Sequence, residues 1–87
     1  MSLVKDFKRD DKVLAVMQFG QGWTAYEIRL ALWESGYGDC FYFDLYPVLY
    51  RFVRQGLVTI GQRQRSYLPQ PKMEFSLTLE GIAARMR

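Results

Sequence analysis

Between residues 44 and 60 the hydrophobic period changes once, and that change limits the fold more than any other stretch. Leu45, Val48, Leu49, Phe52 and Val53 recur at the three- and four-residue spacing of one helical face. Gly56 interrupts the pattern, and Leu57-Val58-Thr59-Ile60 is a β-branched run suited to a strand. A helix that ends on glycine and passes at once into a strand points to a mixed α+β domain. The spacing predicts this helix over 44–55. Asp44 is a suitable N-cap, with Leu45 as the first helical residue. Pro47 then falls at the third helical position, where a missing N–H costs little. The side opposite the apolar arc carries Pro47, Tyr50, Arg51 and Arg54, flanked by Tyr46 and Gln55.

Two helices are expected upstream. The first covers Asp11 to Phe19, with Val13, Val16 and Met17 on one face and Gly20 and Gly22 as terminators. A start near Leu3 also fits, because Leu3, Val4 and Phe7 share the spacing. The second begins at Thr24-Ala25-Tyr26-Glu27, a capping box in which hydroxyl and carboxylate each take a backbone N–H. It runs to about Ser35 and closes at Gly36. Ala25, Ile28, Ala31 and Leu32 form one apolar stripe. Tyr26, Leu30 and Trp33 form a second on nearly the opposite side. A helix with two stripes is covered twice, so the second is a candidate homodimer face, or core beneath the N-terminal segment. In the loop 36–43, Phe41 and Phe43 are expected to be buried, and Cys40 to be a small buried hydrophobe.

Downstream of Ile60, residues 62–71 lack a core pattern and hold two prolines. Met73, Phe75 and Leu77 then alternate with Glu74, Ser76 and Thr78, as in a half-buried strand. The two strands make a hairpin around a basic loop. Thr78 can cap a short last helix with Leu79, Ile82, Ala83 and Met86 as its stripe, although Gly81 weakens it.

Charge is distributed unevenly. The net formal charge is +3. Residues 1–50 hold five cations against seven acids, whereas residues 51–87 hold seven cations against two. No acid lies between Arg51 and Lys72. A one-sided basic surface attracts phosphate. The chain has 87 residues, enough for one small domain, and no apolar run approaches the length of a membrane span. The mixed-charge N-terminus lacks the apolar stretch of a signal peptide. The lone Cys40 rules out an intrachain disulfide and makes the cytoplasm the expected location. The absence of histidine removes the commonest general base and metal ligand. With no phosphate-binding glycine loop and no paired-carboxylate motif, no enzyme, cofactor or metal is expected.

Helix, helix, helix, strand, strand, helix is the order of a winged helix-turn-helix: a three-helix core, a two-stranded β-hairpin wing and a short C-terminal helix. In that fold the third helix enters a DNA major groove. The expected layout is a single domain over 1–87. It has an N-terminal arm at 1–10, two helices within 11–35, a recognition helix at 44–55, a wing at 57–78 and a last helix at 79–87.

The stretch LYPVLYRFVRQGLV resembles the third-helix and first-strand signature of PadR-like winged-helix transcriptional regulators. FSLTLEGIA is similar to their second wing strand and the helix after it, and TAYEIRLAL to their second helix. The likeness covers roughly residues 12–84. It departs where members have a small or hydroxyl residue and Gly-Thr, since Tyr42, Phe43 and Asp44 stand there, and at Leu79, where proline is usual. It also departs at the C-terminus, where the family's long dimerisation helix is missing. The resemblance implies a cytoplasmic transcriptional regulator that binds double-stranded DNA. The residues expected to touch DNA are Tyr46, Pro47, Tyr50, Arg51, Arg54 and Gln55 on the helix, with Arg63, Arg65 and Lys72 on the wing. The alternative is a winged helix used as a protein–protein adaptor, favoured if Phe41, Tyr42 and Phe43 prove exposed.

Overall fold

The computed structural model describes residues 12–63 and 72–86. The proposed N-terminal arm, the earlier helix start near Leu3, and Arg65 lie outside them. Residues 12–16 form the first helix, α1. It closes sooner than its apolar spacing suggests, because later side chains take up carbonyls just beyond it. Arg85 donates to the Met17 carbonyl at 2.7 Å and the Trp23 indole N–H donates to the Gln18 carbonyl at 3.3 Å. Gly20 turns the chain at φ +93°. Gly22 is not a terminator; it opens a strand.

Helix α2 spans Ala25–Glu34 and starts on the expected capping box. The Thr24 hydroxyl accepts from Glu27 N at 3.2 Å, and Thr24 N donates to the Glu27 carboxylate at 2.9 Å. Its end is closed by Gly36 N donating to Trp33 O and Tyr37 N to Leu32 O, which satisfies the last carbonyls. Helix α3 spans Tyr42–Arg54 and closes the same way, through Gly56 N to Val53 O and Leu57 N to Phe52 O.

The sheet has three antiparallel strands: β1 (Gly22–Trp23), β2 (Val58–Arg63) and β3 (Lys72–Leu77), in the order β1-β3-β2. The two-strand hairpin is therefore joined by a short third strand that pairs Gly22 with Ser76 and Trp23 with Phe75. Across the hairpin, Val58 faces Leu77, Ile60 faces Phe75 and Arg63 faces Lys72. The alternation in β3 predicts Glu74 in solvent, yet it is 8% exposed. Strand β1 covers it: a Cβ on Gly22 would collide with the Glu74 carboxylate.

The core joins Val13 and Met17 of the first segment, Ile28 and Leu32 of α2, Leu45 and Leu49 of α3, and Val58, Phe75 and Leu77 of the sheet. Helix α4, Leu79–Arg85, is capped by the Thr78 hydroxyl, which accepts from Gly81 N at 2.9 Å. The same hydroxyl donates to the Gly56 carbonyl at 2.8 Å, fastening α4 to the end of α3. The expected stripe does not face inward, for Leu79, Ala83 and Met86 are exposed. The helix docks through Gly81 instead, with Ile82 and Ala84 packed against the core. A Cβ on Gly81 would strike the Leu57 carbonyl and lie 2.7 Å from Leu77 Cδ1. Gly81→Ala is thus expected to destabilise the fold by about 1–3 kcal/mol, despite alanine's better helix propensity. A urea titration checks this, and an unchanged or raised midpoint would refute it.

Candidate nucleic-acid interface

Helix α3 begins at Tyr42, three residues and nearly one turn before its expected start at Leu45. Phe41 is the N-cap and contributes no side-chain cap bond, and Asp44 lies inside the first turn with its N–H on the Phe41 carbonyl at 3.0 Å. The early start is fixed by tertiary contacts. Arg29 of α2 forms a two-point ion pair with Asp39, at 2.8 and 3.0 Å, while its guanidinium lies 4.9 Å from the centre of the Tyr42 ring. Asp39 also accepts from Cys40 N at 2.9 Å, and Cys40 is buried as expected. The bonds from Asp39 and then Tyr42 raise the Arg29 guanidinium above its already high pKa, so its charge is permanent. Asp44, now in the first turn, complements the positive end of the helix. Pro47 moves from the third to the sixth helical position, where the bond it cannot donate would have gone to the Phe43 carbonyl.

The earlier start lengthens the outward face. Phe43, Pro47, Tyr50 and Arg54 stand at i, i+4, i+7 and i+11 along α3, one stripe of a helix. All four are exposed; Phe43 is 73% exposed and Tyr50 is 38%. Sequence reasoning missed Phe43, although the spacing was present, because it placed that residue in the loop. Phe41 and Phe43 were expected in the core. Both are exposed, and they stack on one another with centroids 5.4 Å apart and planes 13° from parallel. Leu45, Leu49 and Phe52 fill the buried side of the helix, leaving them no inward place.

Tyr42, Tyr46 and Tyr50 form a second row at four-residue spacing, at the edge of the outward face nearest the sheet. Their rings follow one another at 6.2 and 6.1 Å. Tyr46 is half-buried and lies 6.3 Å from the Phe75 ring, whereas Tyr50 meets Phe75 edge-on at 6.1 Å and its hydroxyl reaches Met73 Sδ at 3.7 Å. These tyrosines therefore brace the helix against β3 as well as edging the open face. Lys72, exposed at the start of β3, borders the row. It shares a cleft of about 300 Å³ with Thr24, Tyr26, Tyr42, Tyr46 and Met73.

The remaining candidates are distributed as follows. Arg51 is half-buried with its guanidinium 5.5 Å from the Phe52 ring centre, while Arg54 and Gln55 are exposed at the end of α3. Arg63, the last residue of β2, is paired in the ladder with Lys72, the first of β3. Tyr26, Leu30 and Trp33 are all exposed along α2. Among the described residues there is no cluster of metal-ligating side chains, and no helix is long and apolar enough to cross a membrane.

A three-helix core whose third helix runs into an antiparallel hairpin, with one amphipathic side of that helix left open, defines a winged helix-turn-helix. The fold is similar to that of a PadR-like transcription factor from bacteroid fragilis, with a TM-score of 0.72 at 20% sequence identity. The likeness covers 98% of this chain and 79% of the other. No protein-family model and no curated protein matches the chain by sequence.

Proposed function

We propose that this chain is a sequence-specific DNA-binding regulator of transcription acting in the cytoplasm. Helix α3 lies in the major groove and the hairpin rests on the flanking phosphates or the adjacent minor groove. The observation that carries this reading is the open stripe Phe43-Pro47-Tyr50-Arg54, flanked by Lys72 across the tyrosine row. Arg54 and Arg51 offer guanidinium forks that fit guanine or phosphate. Tyr46, Tyr50 and Gln55 add uncharged hydrogen-bonding groups. Arg63, Arg65 and Lys72 supply the charge on the hairpin. A homodimer formed through Tyr26, Leu30 and Trp33 would bring two such surfaces to paired half-sites.

Binding to random duplex DNA across a salt series tests the reading. Four phosphate-contacting arginines from each of two subunits give a slope of log affinity against log salt steeper than about −4. Arg63→Ala with Arg65→Ala is expected to flatten that slope. An unchanged slope would remove the hairpin from the interface. A second reading, a winged-helix adaptor for another protein, is favoured by the exposure of Phe41 and Phe43. Capture of a protein partner with no duplex binding at low salt would select it.

A further inference from the structure

We infer that the stacked Phe41–Phe43 pair reads thymine methyl groups in the major groove, an inference that rests on the DNA-binding reading above. Phe43 lies on the same stripe of α3 as Arg54, one turn before Pro47, and Phe41 leans on it in an offset stack. Whatever surface Arg54 meets along this helix, Phe43 meets at the other end. In helix-turn-helix docking it is the N-terminal part of the recognition helix that reaches base edges. Asp44, exposed in that first turn, repels phosphate and so turns this end toward bases rather than backbone.

The chemistry then narrows the target. The pair offers no hydrogen-bond donor or acceptor. Pressed against guanine O6 and N7 or cytosine N4, it would strip water from polar groups without replacing the lost bonds. The apolar feature of the groove is the thymine C5 methyl, for which a phenylalanine edge or face is a suitable contact. The pair therefore both favours thymine and penalises G·C pairs at the positions under the start of α3.

Uracil substitution tests this, because it removes only the methyl. The best-bound duplex from a random-sequence selection is remade with deoxyuridine at each thymine in turn, and affinities are compared at fixed salt. The wild-type chain is expected to lose about threefold to fivefold in affinity for each contacted methyl removed. Phe41→Ser with Phe43→Ser should bind the thymine and uracil duplexes equally. Since Phe41→Ser gives α3 the side-chain cap it lacks, that variant should keep or raise the melting midpoint, which separates lost recognition from lost folding. Equal wild-type affinity for the two duplexes, or a selection that enriches no sequence, overturns the inference and leaves phosphate-driven binding standing. No retention of any duplex at low salt overturns both readings and assigns the aromatic pair to a protein partner.

Discussion

Replacing Phe75 with alanine is expected to cost about 3–5 kcal/mol, the range for emptying a fully buried phenylalanine site. A domain of this length is stable by roughly 4–13 kcal/mol, so the variant should be partly unfolded at ambient temperature or melt far below the parent. The expectation follows from where the ring sits. Phe75 is fully buried in the central strand, paired with Trp23 on one side and Ile60 on the other. Its ring is also the wall on which Tyr46 and Tyr50 rest. Removing it opens a cavity and takes away the contact that fixes α3 relative to the hairpin. Phe75→Leu, which keeps most of the volume, should cost considerably less. Chemical denaturation of the two variants decides the matter. A loss below about 1 kcal/mol for the alanine variant would mean that the helix–sheet contact is not the centre of the fold.

What could be read from the sequence follows how local each determinant is. The start of α2 depends on four consecutive residues, Thr24 to Glu27, and was legible as written. The glycine closures at Gly36 and Gly56 are equally local. The hairpin was legible because alternation in 73–78 and the β-branched run at 57–60 each carry their own signal. Strand β1 was not, for it has two residues and its partners, Ser76 and Phe75, lie more than fifty positions away. The start of α3 was misplaced for the same reason. Asp44 is a good N-cap by residue type, but the Arg29–Asp39 pair and the Arg29–Tyr42 contact fix the start from another helix. Helix α4 was expected to pack by side chains, whereas it packs by the absence of one at Gly81. The open face was legible for Pro47, Tyr50, Arg54 and Gln55, whereas Arg51, expected outward, is half-buried over the Phe52 ring. Tyr46 proved more a brace than an open group, and Phe43 entered the face only once the helix was known to begin a turn earlier.

Arg51→Ala with Arg54→Ala is expected to weaken duplex binding at least about thirtyfold, since each well-formed guanidinium contact is worth roughly 1–3 kcal/mol. Folding should change little. Arg54 is exposed in the last turn of α3, where its charge complements the helix dipole by well under 1–2 kcal/mol. Arg51 is half-buried with its guanidinium over the Phe52 ring, so the melting midpoint of each single variant is measured beside its affinity. Affinity loss without a matching fall in melting midpoint would place these two side chains against the nucleic acid. Arg54→Lys then separates their roles. Lysine keeps the charge but not the planar fork. If Arg54 grips a phosphate, the lysine variant recovers most of the affinity and the full salt slope. If it reads guanine, the slope recovers while the preference at one base pair is lost, because a single ammonium does not reproduce the paired donors that match O6 and N7. Wild-type affinity in the double alanine variant would leave the open face of α3 without a nucleic-acid role, and the exposed aromatic residues beside it would then be the surface to test against protein partners.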